Sequence, residues 1–128
     1  MTAKRVVVAD EDLTVRAALR PLLERGGYVV VGEAEDCRDA MALVRAHSPD
    51  VLIIDLALPG LDALELVKRV SGKTDTRTVV LTGRPAEKYA ARARSAGAAA
   101  YVTKTGDLAN LGDALQAVAT GGTFFPEE

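Results

Sequence analysis

The sequence predicts an α/β fold in which a βα unit repeats five times, giving a doubly wound parallel sheet with helices on both faces. Three observations carry this. Short all-apolar runs alternate along the chain with longer amphipathic ones, the pattern of strands buried on both faces joined by crossover helices. Asp precedes and Gly follows several of the amphipathic runs, the usual punctuation of helix starts and stops. The 128 residues make one domain, 1–128, on a prior of about 150 residues per domain. Five units in that length favour the flavodoxin-like strand order 2-1-3-4-5.

The elements follow in order. Arg5 to Ala9, Tyr28 to Val31, Val51 to Ile54, Thr78 to Leu81 and Ala99 to Val102 are brief and apolar, and read as strands. Val15, Leu19, Leu22 and Leu23 share one face of a first helix, stopped by Gly26-Gly27. Ala40, Leu43 and Val44 mark a second after an Asp36 cap. Leu61, Leu64, Leu66, Val67 and Val70 mark a third, ending at Gly72. The fourth runs between Pro85 and Gly97 and holds no Leu, Ile, Val, Met or Phe. With Tyr89 as its one large apolar residue it can bury little, so it belongs to the low-stability end of the fold. Leu108, Leu111, Leu115 and Val118 mark the last, between Asp107 and Gly121-Gly122. Residues 122–128 read as an exit tail.

Composition excludes several functions. Hydrophobic residues at 48% and charged residues at 27% are ordinary for a globular domain. A net charge of −2 gives no basic field for nucleic acid or an anionic membrane. Aromatics at 4% without Trp make a stacking surface for single strands a poor reading. One Cys and one His exclude a disulfide framework and multi-Cys or multi-His metal sites. No run approaches the ~18 apolar residues of a membrane span, and Val6 to Ala9 is too short for a signal-peptide core. The expected location is the cytoplasm, away from any membrane.

Ligands of such a sheet bind beyond the carboxyl ends of the strands, at the switch point between strands 1 and 3. Asp10 and Glu11 end strand 1 and Asp55 ends strand 3, so three carboxylates are expected in one crevice. Thr82 ends strand 4 and Lys104 lies just past strand 5. Two like charges at 4 Å repel by about 4 kcal/mol at an effective dielectric near 20. A hard divalent cation relieves this, and few oxygen ligands with room for water and phosphate suit Mg2+ better than Ca2+. A carboxylate can attack phosphorus, while a cation and a lysine neutralise the transferring group. Asp55, on the central strand, is the best nucleophile.

The chain resembles a response-regulator receiver domain over essentially its whole length. The resemblance rests on Val8-Ala9-Asp10-Glu11-Asp12, Ile54-Asp55-Leu56-Ala57-Leu58-Pro59-Gly60, Leu81-Thr82-Gly83 and the stretch Gly97 to Lys104. It implies that Asp55 is the phosphoacceptor for a sensor histidine kinase. It implies that Asp10, Glu11, Asp55 and the backbone carbonyl of Ala57 hold Mg2+, and that Lys104 and Thr82 contact the phosphoryl oxygens. It implies that Tyr101 is an aromatic switch, turning inward as Thr82 moves toward the phosphoryl group. Within the family, Gly-Ala-x-x-Tyr-x-x-Lys and the Gly-Gly-x-x-x-Pro exit resemble receivers that precede a LuxR-type helix-turn-helix domain. A homodimer on phosphorylation through the helix 1 or helix 5 surface, and DNA contact only through an output domain absent from this chain, are the partners implied. Glu11 in place of a second Asp, Leu58 before Pro59, Ala63 after Asp62 and Thr105 after Lys104 depart from the commonest pattern and remove no needed group. Ala57 and Arg84 occupy positions that tune the lifetime of the phosphorylated state.

Other residues have plainer readings. Asp12 is a helix cap, His47 is exposed beside the loop Ser48-Pro49, Cys37 opens a helix and is inert, and Met41 is core or helix surface. Arg84, Lys88, Arg92 and Arg94, interrupted by Glu87, read as a solvated helix face rather than a DNA contact. Two competing functions remain. A degenerate receiver serving only as an interaction module would have lost Asp55 or Lys104. A haloacid-dehalogenase-like phosphatase needs an Asp two residues after its nucleophile, where this chain has Ala57.

Overall fold

The computed structural model describes residues 3–104 and 108–126. The elements are β1 (Lys4–Ala9), α1 (Leu13–Arg25), β2 (Tyr28–Ala34), α2 (Cys37–His47), β3 (Val51–Ile54), α3 (Ala63–Lys73), β4 (Arg77–Thr82), α4 (Ala86–Ala96), β5 (Ala100–Thr103) and α5 (Ala109–Ala119). The five strands form one sheet in the order β2-β1-β3-β4-β5, and every pair is parallel. Alternation along β1 divides the core. Val7 and Ala9 pack with Val44, Val67 and Ala93 under α2, α3 and α4. Val6 and Val8 pack with Leu19, Leu23, Leu111 and Leu115 under α1 and α5. Burial on both faces explains why the strands are runs of Val, Leu and Ile rather than alternating sequences.

Three aspartates start three helices. Asp12 accepts from the Thr14 N–H at 2.9 Å, Asp36 from Asp39 at 2.8 Å and Asp62 from Leu64 at 2.9 Å, each satisfying a donor the first turn leaves orphaned. Leu61 therefore precedes α3 rather than sharing its face, and is exposed. The stop at Gly72 is corrected to Lys73. Thr74 ends the helix instead, its hydroxyl donating to the Val70 carbonyl at 2.6 Å and accepting from the Thr76 N–H. Asp107 and Thr105 lie outside the described residues, and Leu108 precedes α5. α5 ends at Ala119, before Gly121-Gly122 as expected, with the Gly122 N–H donating to the Ala117 carbonyl.

Two departures matter for function. β2 runs three residues beyond Val31, and its register against β1 shifts between Val6↔Val30 and Val7↔Gly32. The exit tail is also not a free end. The Tyr101 N–H donates to the Phe124 carbonyl and the Phe124 N–H to the Ala99 carbonyl, each at 2.9 Å, so this segment pairs with the outer edge of β5. Phe125 packs against the α4 side of the core, with the Arg94 guanidinium 4.8 Å over its ring. α4 itself buries only Ala93, in keeping with its apolar-poor sequence.

Candidate functional site

All strands of a parallel sheet end on one edge, and the backbone ladder there extends past the strands. The Asp10 N–H donates to the Ala34 carbonyl, Asp55 to Ala9 and Lys104 to Thr82, at 2.8–3.1 Å. These bonds fix the residues that follow β1, β3 and β5 beside Thr82, the last residue of β4. Lys104 Nζ lies 2.6 Å from Asp10 Oδ2 and 2.7 Å from Asp55 Oδ2. The other Asp55 oxygen, Oδ1, accepts from Thr82 Oγ1 at 2.6 Å and from the Ala57 N–H at 3.0 Å. The remaining Asp10 oxygen accepts from the Asp12 N–H at 2.9 Å. Asp10 and Thr82 are buried and Asp55 half-buried.

The protonation states follow. Burial alone would raise the Asp55 carboxyl, but the hydrogen bonds from Lys104, Thr82 and Ala57 outweigh it and hold the group below the ordinary carboxylate range. Burial would likewise lower Lys104, yet Asp10 and Asp55 raise it above the usual lysine range. Asp55 is thus an anion at neutral pH, gripped by one cation and two neutral donors.

The arrangement corrects one expectation. Three carboxylates were expected together with Lys104 to one side. Asp10 and Asp55 do meet, but at the Lys104 ammonium, which itself relieves their repulsion. Glu11 is exposed and lines a neighbouring cleft with Glu35, Asp36, Arg38 and Gly60. Among the described residues, no group of three His, Cys, Asp or Glu side chains is gathered as a cation cage. Ala57 is exposed at the rim.

Tyr101 points inward and is fully buried, its hydroxyl donating to the Arg84 carbonyl at 2.9 Å. Burial pushes its pKa up to about 12. The Arg84 N–H donates to Thr82 Oγ1 at 3.4 Å, so one residue of the β4–α4 loop touches both Thr82 and Tyr101. The plain readings mostly hold. Asp12 is a cap, Met41 is core, and Cys37 is buried at the start of α2 with its thiol 3.0 Å from the Leu61 carbonyl. Burial, then Asp36 and Asp62, raise that thiol's pKa, so it stays protonated and inert. His47 is half-buried rather than exposed, its carbonyl accepting from the Arg5 guanidinium. Arg84 precedes α4, and its guanidinium lies 5.2 Å over the Tyr89 ring, with Arg92 at 5.6 Å.

Arg16 was not singled out in the sequence. It is a buried arginine on α1 whose Nη1 donates to the Asp10 carbonyl at 2.6 Å. Its position three before Leu19 and seven before Leu23 sets it on the apolar stripe. A charge on that stripe was the available signal.

Comparison with known proteins agrees with this geometry. The family model described as the response regulator receiver domain matches residues 6–116. A Pseudomonas aeruginosa protein is 37% identical over 123 residues, 95% of this chain and 59% of its own length. The crystal structure of a two-component response regulator of the LuxR family from Aurantimonas sp. SI85-9A1 superposes with a TM-score of 0.89 at 34% identity, covering 97% of this chain and 90% of that one. RcsB from Salmonella enterica serovar Typhimurium, bound to promoter P1flhDC in the presence of phosphomimetic BeF3-, superposes with a TM-score of 0.87 at 28% identity, over 98% of this chain and 64% of that one. The chain thus spans about three-fifths of the length of the curated relative it matches at 37% identity. With the strand order, the Asp55–Lys104–Thr82 cluster and these matches in agreement, the chain belongs to the response regulator receiver domain family.

Proposed function

We propose that this domain is the phosphorylation-controlled switch of a two-component system, with Asp55 accepting a phosphoryl group from a sensor histidine kinase. The observation that carries this reading is the grip on Asp55. One oxygen is bound by Lys104 and the other by Thr82 and the Ala57 N–H. A carboxylate kept ionised beside a lysine is a competent nucleophile toward phosphorus. In the step, a P–O bond forms to an Asp55 oxygen while the donor's P–N bond breaks, and the departing imidazole nitrogen keeps the bonding pair. Lys104 and Thr82 are the donors in reach of the phosphoryl oxygens, where charge develops.

Asp10, Glu11, Asp55 and the Ala57 carbonyl would hold Mg2+. The donor set fits a hard cation, since all its atoms are oxygens and two of its carboxylates already converge on one positive centre. Bound there, Mg2+ supplies positive charge against the phosphoryl oxygens. The chain's own residues transmit the event. When Thr82 follows a phosphoryl oxygen, its bond with the Arg84 N–H changes, and Arg84 carries Tyr101 on its carbonyl. The region of α4, β5 and α5 then changes and alters self-association. In the cytoplasm, a homodimer would act on DNA through an output domain outside this chain. The same groups would let the domain phosphorylate itself from a small donor and later hydrolyse the product.

The test is incubation with Mg2+ and acetyl phosphate, read by intact mass. One added phosphoryl group, lost in Asp55→Asn, is expected. No uptake, and no Mg2+-dependent response to beryllofluoride, would leave the domain an interaction module.

A further inference from the structure

Buried Arg16 is paired behind the acidic site with Glu33 of β2, and the bulge in β2 creates the pair. Val31 and Gly32 are consecutive, yet both face α2. Val31 packs with the α2 side of the core, and a Cβ built on Gly32 would meet Leu43 of α2 at 3.0 Å. A regular strand would send its next residues to alternate faces. The extra residue reverses the alternation, so Glu33 lands on the α1 side. There its Oε1 accepts from Arg16 Nε at 2.9 Å and its Oε2 from Arg20. Glu35 Oε1 lies 3.5 Å from Arg16 Nη2, but is exposed and adds little.

Arg16 is 6% exposed. A buried guanidinium with one carboxylate partner is tolerated only if its other donors are used. Nη1 uses its hydrogen on the carbonyl of Asp10, in a bond of 2.6 Å. That bond is charge-assisted and among the stronger types. It completes a four-point restraint on Asp10. The N–H is held by Ala34, the carbonyl by Arg16, Oδ1 by the Asp12 N–H and Oδ2 by Lys104. Of these, only the Arg16 bond fixes the peptide plane between Asp10 and Glu11.

We propose that Arg16, aimed by Glu33, is a positioning residue that sets the orientation of the Asp10–Glu11 peptide and so the affinity of the acidic site for a divalent cation. It touches neither the cation nor the phosphoryl group. The proposal rests on the reading of Asp10 and Glu11 as cation ligands. Partners one shell behind metal ligands typically change affinity by about 10- to 100-fold when removed.

The experiment measures Mg2+ binding by calorimetry in the wild type, Arg16→Gln, Arg16→Lys, the double variant Arg16→Met/Glu33→Gln and the control Arg20→Gln. Amide exchange at Asp12, without metal, is followed by NMR in the same proteins. The double variant removes the buried charge together with its carboxylate partner, so it keeps the test open if Arg16→Gln does not fold. Arg16→Gln and the double variant are expected to bind Mg2+ about tenfold more weakly and to exchange the Asp12 amide faster. Arg16→Lys is expected to recover part of both, and Arg20→Gln to match the wild type. A folded variant without Arg16 that binds Mg2+ as the wild type does would overturn the proposal. Wild-type protein that binds no Mg2+ would instead overturn the assignment of Asp10 and Glu11 on which it rests.

Discussion

The Tyr101 hydroxyl donates to the Arg84 carbonyl at 2.9 Å while the Arg84 N–H faces Thr82 Oγ1 at 3.4 Å. Thr82 in turn donates to Asp55. A single loop residue therefore joins the hydrogen-bond partner of Asp55 to the buried tyrosine of β5. Tyr101 is already inward with Thr82 at Asp55, the arrangement that the family resemblance associates with the switched state. Replacing Tyr101 with Phe keeps the ring and removes one hydrogen bond. Tyr101→Phe is expected to lose about 1 kcal/mol of stability, seen as a lower urea midpoint at unchanged slope. An unchanged midpoint would mean the bond contributes nothing.

The same tyrosine shapes the alkaline limb of stability. Its folded pKa is raised, to about 12, above the ordinary value of about 10. A group raised on folding contributes stability that is present below its unfolded pKa and lost as pH rises through its folded one. Stability should therefore fall as pH rises from about 10, and less steeply in Tyr101→Phe. Absorbance titration of the phenols in both proteins checks the assignment, and an ordinary Tyr101 ionisation would refute it.

Asp55 acts on the acid limb, and Lys104 adds to the alkaline one. The Asp55 pKa is lowered, so its contribution is present above about pH 4 and lost as pH falls through the folded value. The Lys104 pKa is raised, so its contribution is present below about pH 10 and lost above the folded value. Unfolding free energies across the acid range should show a shallower decline in Asp55→Asn than in the wild type. Equal declines would show that the Lys104 contact does not hold Asp55 ionised. In acetyl phosphate labelling, Lys104→Met is expected to slow the initial rate about 100-fold, the usual cost of a lost charge-stabilising donor.

α4 is the weakly held helix. It buries only Ala93, has no side-chain cap at Pro85, and is braced by Phe125 of the tail. Amide hydrogens of α4 should exchange faster than those of α1, which buries Leu19 and Leu23. Phe125→Ala should speed α4 exchange further and leave α1 unchanged. Protection in α4 equal to that in α1 would remove the idea that this helix moves at small cost.

Gly97 joins α4 to β5 at φ 107°, and a Cβ there would clash with Ser71 Oγ of α3. Gly97→Ala is expected to cost at least about 1–2 kcal/mol from the backbone alone, and more from the clash. Adding Ser71→Gly should recover the steric part only. Thermal unfolding of the single and double variants separates the two, and full recovery would show that the backbone angle is not strained.

How far the sequence reached can be judged from particular residues. The strand order, the alternation and the positions of Asp10, Asp55, Thr82 and Lys104 were legible because strand ends of a parallel sheet share one edge. The weakness of α4 was legible in its missing large side chains. Glu33 was not, because a bulge of one residue at Val31 decides which helix it faces, and no short pattern encodes that shift. Lys104 between Asp10 and Asp55 was not, because linear position gives proximity but not which pair of groups makes contact. The tail pairing with β5 was not, since Thr123-Phe124-Phe125-Pro126 has no periodicity to read.

The central claim is that Asp55 carries the phosphoryl group. An acyl phosphate is reduced by borohydride, and the aspartate that bore it becomes homoserine. After acetyl phosphate and Mg2+ treatment followed by borohydride and peptide mapping, homoserine is expected to replace Asp55 and no other aspartate. Homoserine at Asp10 or Asp12, or an Asp55 peptide that stays unchanged while the protein is labelled, would contradict it.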